Sequence, residues 1–241
     1  MDLKGKVILI TGGAIRLGRA ITLEMLSMGA KVYCHYNQSE AAAQELKHQY
    51  PQIELIRGDL KQIITIKSII GQILEHTGTI DVLINNAAVF IRSPLGTVTE
   101  EIWENLFTLN LRAGFFLAQE IGPLMKQKGS GKIINIADTS ALKPFPSFIP
   151  YSLTKSGMIS LTKGLAKTLA PEVQVNAINP GPVLLPEYYT ENDRLRSIEK
   201  TLLQREGEPK DIAEAVKFLL IDGDYITGST IAVDGGRSLF N

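Results

Sequence analysis

The sequence predicts a doubly wound α/β fold, in which a seven-stranded parallel sheet carries helices on both faces. Three observations predict it. Short apolar runs alternate with longer segments of helical periodicity, the runs are apolar at nearly every position, and a glycine-rich turn follows the first run. Because the alternation continues along all 241 residues, we expect a single domain spanning residues 1–241.

Strands that are buried on both faces of a parallel sheet have few polar positions, unlike half-exposed strands, which alternate. Seven runs rich in β-branched residues fit this description, and we predict each of them as a strand. In chain order they are Val7–Ile10, Lys31–Tyr36, Glu54–Arg57, Val82–Ile84, Lys132–Ile136, Val173–Ile178 and Thr230–Val233.

The segments between the predicted strands have the apolar spacing of helices with one buried face. The stretch Gly181–Glu208 lacks this periodicity and is too polar for a core. We predict that it is a mobile segment covering the substrate site, helical only over Asn192–Leu203. The predicted helices are Leu17–Met28, Ala41–Tyr50, Ile66–His76, Glu100–Lys128, Ser152–Leu169 and Pro209–Leu220.

Charge and cysteine content narrow the classes of function. Lys+Arg and Asp+Glu each number 25, so no net field favours nucleic acid or an anionic membrane, and a small-molecule substrate is expected. The single cysteine, Cys34, cannot form an internal disulfide, and the first apolar run is too short for a signal peptide or a membrane span. We therefore expect a cytoplasmic protein that is large enough to bury a core without a metal.

The first predicted strand leads into a glycine-rich turn, Thr11–Gly18, with the sequence TGGAIRLG. Glycines such as Gly12 and Gly18 let the backbone approach a pyrophosphate, and the N–H groups at the start of the next helix, around Leu17, attract its charge. This pattern is typical of the dinucleotide site of a Rossmann fold. An ordinary glycine-rich connection is the alternative.

The end of the second predicted strand distinguishes NAD from NADP, because an acid there binds the free 2′-hydroxyl of NAD. No acid occurs in the run Tyr36, Asn37, Gln38, Ser39, and Arg16 lies in the glycine-rich turn, where it could face the same corner. A cation with neutral polar partners suits a 2′-phosphate. We therefore predict NADP(H) as the cofactor, with Tyr36, Asn37, Ser39 and Arg16 among its contacts. A solvated cation is the alternative for Arg16.

Tyr151 and Lys155 lie four residues apart, on one face of a predicted helix. The ordinary pKa of a phenol is about 10, and a nearby ammonium would lower it, so that Tyr151 could exchange protons with a substrate near neutral pH. Alone, this spacing usually marks a surface pair. Two strand ends strengthen the case, because doubly wound sheets bind ligands there: Asn85-Asn86-Ala87 after the fourth predicted strand and Asn179-Pro180-Gly181 after the sixth.

Together these features resemble the short-chain dehydrogenase/reductase family over essentially the whole chain, including Ile226–Gly228 and Val233–Gly236. The resemblance implies that Tyr151 is the catalytic acid or base and that Lys155 holds the nicotinamide ribose and tunes the tyrosine. It further implies that Asn110, inside a predicted helix, supports a water in the proton relay. Further cofactor contacts are expected from Asp59, Leu60, Asn86, Ala87, Pro180 and Gly181.

Two positions depart from the family pattern. Arg16 stands where the phosphate turn normally has a glycine, and Asp138 stands thirteen residues before Tyr151, where the catalytic serine normally lies. Both departures resemble the pteridine reductases, a branch of the family in which a residue at the position of Phe90 stacks a pterin against nicotinamide. Ala88 differs from that branch, which commonly has a serine there.

The aspartate changes the chemistry that the site favours. A serine hydroxyl can donate to a ketone oxygen, whereas an ionised carboxylate only accepts, and it repels the alkoxide of a reduced ketone. A pterin presents N–H groups and takes up protons on ring nitrogens, so Asp138 could orient it, hold a water for Tyr151 or donate a proton itself. The alternatives are that Asp138 pairs with a cation, that Ser140 replaces the missing serine, and that Phe90 belongs to the core.

We therefore predict an NADPH-dependent reductase of a pterin or a similar flat nitrogen heterocycle, of the dihydropterin or dihydrofolate type. A carbonyl or 3-oxoacyl reductase is the second hypothesis, and a non-catalytic NADP-binding regulator is the third. The family resemblance also implies a homotetramer, with Glu100–Lys128 and Ser152–Leu169 as interface helices.

Overall fold

The computed structural model describes residues 1–186 and 188–239, so Glu187, within the predicted covering segment, lies outside the description. Its strands are β1 (Val7–Ile10), β2 (Lys31–Tyr36), β3 (Glu54–Arg57), β4 (Val82–Asn85), β5 (Gly131–Ile136), β6 (Val173–Pro180) and β7 (Thr230–Val233). They form one parallel sheet in the order β3-β2-β1-β4-β5-β6-β7, with helices on both faces. The predicted doubly wound fold is confirmed, and the strand order reverses between β1 and β4.

The helices lie between the strands, as the periodicity predicts. In the part of the chain that the structure describes, none of them is both long and apolar enough to cross a membrane. Their bounds are α1 (Arg16–Ser27), α2 (Glu40–Gln49), α3 (Ile63–Thr77), α4 (Glu100–Phe107), α5 (Ala113–Lys128), α6 (Ile149–Leu169), α7 (Glu191–Glu199) and α8 (Pro209–Ile221).

Two predicted helices differ from the structure. The helix predicted over Glu100–Lys128 is divided into α4 and α5 by a π-helical turn, Thr108–Arg112. A π turn is wider than an α turn and is often found at functional sites, and this one carries Asn110. The segment Gly181–Glu208 contains α7, which ends at Glu199 rather than at the predicted Leu203.

Alternate residues of the central strands face two separate apolar layers. Leu9 and Leu83 point to the layer formed with α3, α5 and α6, whereas Ile8 and Ile84 point to the layer formed with α1 and α8. All four side chains are fully buried. Since ligands bind at the carboxyl edge of such a sheet, beside the switch point, the two layers hold that edge in place from both sides.

Candidate active site

A cleft of about 700 Å³ runs along the carboxyl edge of the sheet. It brings together nearly all the residues predicted for the site, from the loops after six of the strands. Asp59 and Asn110 do not line it. The predicted residues that do are Gly12, Arg16, Leu17, Gly18, Tyr36, Asn37, Ser39, Leu60, Asn86, Ala87, Phe90, Asp138, Tyr151, Lys155, Pro180 and Gly181.

The glycine-rich turn has the geometry of a phosphate cradle. Gly12 has a left-handed backbone (φ +62°), and a Cβ on Gly18 would lie 2.0 Å from the Gly12 carbonyl oxygen, so no side chain fits there. Ile15, which precedes α1, offers no side-chain cap, so the first N–H groups of the helix remain available to an anion. The side-chain amide of Asn86 donates to the carbonyls of Thr11 and Gly12 (2.9 and 3.1 Å) and fastens the turn to β4.

Arg16 lies across the cleft rather than at the end of β2. Its backbone is left-handed (φ +52°), which a glycine would adopt without strain. Its guanidinium donates to the carbonyl of Leu184, in the segment after β6. The expectation that Arg16 faces the 2′-phosphate corner is therefore not met in this structure, because the side chain is directed to the opposite wall.

His35, at the end of β2, links the glycine-rich turn to β3. Its Nδ1 accepts from the N–H of Gly12 (3.3 Å), and its Nε2 lies 2.9 Å from the carbonyl oxygen of Gly58, to which it donates. These two partners require the neutral ring with the proton on Nε2. Burial also lowers the pKa of His35, against the opposing effects of the Gly58 carbonyl and Asp59.

Asp59, which was predicted to contact the cofactor, does not line the cleft. A carboxylate oxygen of Asp59 accepts from the N–H of Lys61 (3.0 Å) and so closes the turn after β3. Leu60 and Lys61 line the cleft in its place. Leu60 therefore lines the cleft, and its contact with the cofactor stays a prediction.

The structure joins Tyr151 directly to Asp138. The Tyr151 hydroxyl donates to one carboxylate oxygen of Asp138 (3.0 Å), and the other oxygen accepts from the N–H of Ser140 (2.7 Å). Among the described residues, no cation lies within 4 Å of Asp138, so the alternative of an ion pair is not met. Ser140 is fully buried and does not line the cleft, so it cannot replace the missing serine.

The pKa of Tyr151 moves in the direction opposite to the sequence prediction. Burial raises it well above its ordinary value, and the Asp138 carboxylate raises it further by its charge and its hydrogen bond. The ammonium of Lys155 lies 5.6 Å from the centre of the Tyr151 ring and donates to the carbonyl of Ile136 (2.9 Å). Burial lowers the pKa of Lys155 to about 8, against the opposing effect of Asp138.

Asn110 does not line the cleft but supports the loop that does. Its side-chain oxygen accepts from the N–H of Val89 and its amide donates to the carbonyl of Val89, both at 2.9 Å, so it fixes the loop after β4. Together with Lys155 it also lines a small cavity of about 10 Å³. That is close to the space one water needs, and the relay water implied by the family resemblance stays a prediction.

Phe90 belongs to an aromatic wall of the cleft, not to the sheet core. It is half-buried, stacks on Phe148 (4.2 Å between ring centres, 9° between planes) and meets Tyr151 edge to face at 4.7 Å. Sequence reasoning missed Phe148, Phe145, Tyr189 and Arg237, all of which line the same cleft. The first three come from irregular segments and Arg237 from a short 3-10 helix after β7, where neither apolar period nor strand-end position marks them.

The fold and site define a class of protein: an oxidoreductase with a dinucleotide cleft and a tyrosine–lysine pair. Comparisons with known proteins give the family, since the profile described as Enoyl-(Acyl carrier protein) reductase matches residues 13–238. The chain belongs to the short-chain dehydrogenase/reductase family.

Curated relatives and solved structures cover nearly the whole chain. The 3-oxoacyl-[acyl-carrier-protein] reductase FabG of Thermotoga maritima is 32% identical over 98% of this chain and 99% of its own, and that of Staphylococcus epidermidis is 33% identical over 96% and 98%. FolM Alternative dihydrofolate reductase 1 from Brucella canis, complexed with NADP, superposes with a TM-score of 0.91 at 30% identity, over 99% of this chain and 96% of its own. A blue fluorescent protein from a metagenomic library, in complex with NADPH, gives 0.89 at 31% identity, over 98% and 99%.

Proposed function

We propose that this chain is an NADPH-dependent reductase of a pterin or a similar flat, nitrogen-bearing heterocycle, of the dihydropterin or dihydrofolate type. The observation that carries the proposal is the hydrogen bond from the Tyr151 hydroxyl to the Asp138 carboxylate, where a ketone reductase of this family has a serine. The similarity to FolM, an alternative dihydrofolate reductase, supports the same substrate class.

The cleft fits NADP(H). The turn at Gly12 and Gly18 would hold the pyrophosphate, Leu60 would flank the adenine, and Lys155 would hold the nicotinamide ribose. When bound, the cofactor supplies the hydride. The solved relatives complexed with NADP or NADPH support NADP(H) as the cofactor rather than NAD(H).

In the proposed reaction Tyr151 donates the proton, and Asp138 orients the Tyr151 hydroxyl and the substrate. Reduction of a ring C=N bond adds a hydride to carbon and a proton to nitrogen. Because the pKa of Tyr151 is raised, its phenol stays protonated through neutral pH and holds the proton to be delivered. Asp138 sets the direction of that O–H bond, and its carboxylate attracts the N–H groups and positive charge of a protonated ring, whereas it would repel an alkoxide.

The aromatic wall suits a flat substrate. Phe90 contacts the rings of both Phe148 and Tyr151, so three aromatic rings lie beside the catalytic hydroxyl. A planar heterocycle placed against this wall gains about 0.5–1.5 kcal/mol beyond simple area burial. Leu184, Leu185 and Pro186 line the cleft from the covering segment, and in the proposed function this segment shapes the substrate site.

A 3-oxoacyl reductase is the second candidate, because the FabG relatives cover nearly the whole chain. That reaction needs a second donor to the carbonyl oxygen, and the site offers a carboxylate there. A regulator without turnover is the third candidate, and the intact set of Tyr151, Lys155 and Asn110 argues against it.

The substrate assignment is tested by NADPH consumption with a panel of acceptors. We expect kcat/KM for dihydrobiopterin or dihydrofolate to exceed that for acetoacetyl thioesters by at least about 10²-fold, because only the heterocycle can donate to Asp138. The reverse order would assign the chain to the second candidate. Tight NADPH binding without consumption by any acceptor would assign it to the third.

The lowered pKa of Lys155 predicts a pH dependence. The ammonium is charged below a pH of about 8 and neutral above it, so kcat/KM for NADPH should fall as the pH rises through about 8. In Lys155→Met the fall in kcat/KM near pH 8 should disappear. In Lys163→Met, which changes an exposed residue of the same helix, the fall should remain. A profile that stays level to strongly alkaline pH in the unmodified enzyme would contradict the role of the ammonium.

The proposal also includes the oligomeric state of the enzyme and its location in the cell. A homotetramer in the cytoplasm fits the family resemblance, with α4–α5 and α6 as interface helices. Phe115, Leu124 and Leu153 on these helices are between 39% and 46% exposed, which a subunit interface would bury. Light scattering should then give four times the chain mass of 26.4 kDa.

A further inference from the structure

We propose that Lys61 binds the 2′-phosphate of NADP(H), the role that the sequence had suggested for Arg16. The inference concerns cofactor selectivity and does not depend on which substrate the enzyme reduces.

Four cationic side chains line the cleft in the described ranges: Arg16, Lys61, Lys155 and Arg237. Three of them have partners away from the adenosine end. Arg16 donates to Leu184, and Lys155 donates to Ile136 beside the catalytic tyrosine. Arg237 donates to the carbonyl of Ser197 on α7 (3.0 Å). This leaves Lys61 for a phosphate at the adenosine end.

The position of Lys61 is fixed on both sides of its backbone. Its N–H donates to Asp59 (3.0 Å), and its carbonyl accepts from the guanidinium of Arg112 (2.7 Å). The residue lines the same cleft as Asn37, Gln38 and Ser39 at the end of the neighbouring strand β2. Lys61 is half-buried, and the side chains of Asn37, Gln38 and Ser39 are neutral and polar, a combination that suits a phosphate monoester.

No acid competes for that charge. Across residues 1–186 and 188–239, the only acidic side chain lining the cleft is Asp138, at the catalytic end. Glu40, the first acid after β2, pairs with Arg57 at 2.9 Å. The Lys61 ammonium forms no ion pair with a carboxylate of the described residues, since Asp59 accepts only from the backbone N–H of Lys61. The corner therefore offers a cation to a 2′-phosphate and no carboxylate to the 2′-hydroxyl of NADH.

The test is a fluorescence titration of NADPH and NADH binding, which needs no substrate. Lys61→Met should weaken NADPH binding by about 10- to 100-fold, the usual value of a charged hydrogen bond, and leave NADH binding within about twofold. Lys61→Arg should restore most of the preference for NADPH. Arg16→Met should change the two affinities by similar factors, because its guanidinium lies on the opposite wall.

A matched control is Lys67→Met, which removes an exposed lysine of α3 that pairs with Glu120. Both affinities should be unchanged in that variant. The proposal is overturned if Lys61→Met weakens NADPH and NADH equally, or if Arg16→Met is the variant that selectively loses NADPH. Failure of the pterin assignment would leave these dissociation constants unaffected, so the two proposals fail independently.

Discussion

The Tyr151→Phe enzyme should lose about 10³-fold in kcat with its heterocyclic substrate while binding NADPH normally. The substitution removes one oxygen atom, which donates to Asp138 at 3.0 Å and holds the proton that the ring nitrogen must receive. The aromatic ring is retained, so its edge-to-face contact with Phe90 at 4.7 Å should persist. Single-turnover kinetics would measure the reduction step directly.

The Tyr151→Phe variant also separates the proton role from a structural one. An NADPH titration should give an affinity within about twofold of the unmodified enzyme, since a phenylalanine leaves the Lys155–Ile136 hydrogen bond intact. A loss of activity below about 10-fold would mean that another group delivers the proton. A parallel loss of NADPH affinity would mean that the hydroxyl acts through the cofactor site.

The Asp138→Ser enzyme should lose about 10²-fold in kcat/KM for the dihydropterin and gain activity toward a ketone or 3-oxoacyl substrate. The change replaces an acceptor-only carboxylate by a hydroxyl that can donate to a carbonyl oxygen. It also removes the negative charge that helps to raise the pKa of Tyr151, which should become a stronger acid. Both effects favour an alkoxide over a protonated ring nitrogen.

Asp138→Asn is the matched control for charge, because it preserves the size of the side chain. It should lose pterin reduction as Asp138→Ser does, but it should gain less ketone reduction, since its geometry is not that of the family's serine. Unchanged pterin turnover in both variants would contradict the assigned role of the carboxylate. The ratio of kcat/KM values for the two substrate classes gives the answer without correction for enzyme concentration.

Much of this site was predictable because strand ends in a parallel sheet converge on one edge. Tyr151 and Asp138 are thirteen residues apart, and the strand–loop–helix order between them indicates proximity before any contact is measured. The glycines of the phosphate turn were predictable for a similar reason. A side chain at position 18 would collide with the Gly12 carbonyl. The turn can therefore form only with a glycine there, and that glycine is visible in the sequence.

The direction of a side chain and the sign of a pKa shift were not predictable from spacing. Arg16 was expected at the 2′-phosphate corner, but its guanidinium donates to the carbonyl of Leu184. A lysine four residues from Tyr151 suggested a lowered pKa, whereas burial and the Asp138 hydrogen bond raise it. Both outcomes depend on long-range packing, which a local motif does not encode.

The central claim is that this site delivers a hydride to carbon and a proton to nitrogen of a flat heterocycle. The most direct test is reduction of a dihydropterin with NADPH deuterated at C4 of the nicotinamide, followed by mass spectrometry of the product. With both hydrogens at C4 replaced by deuterium, so that either face delivers the label, we expect one deuterium on a ring carbon of the tetrahydropterin, and its formation should depend on Tyr151 and Asp138. A product without deuterium, or deuterium transfer only to a ketone carbon, would contradict the claim.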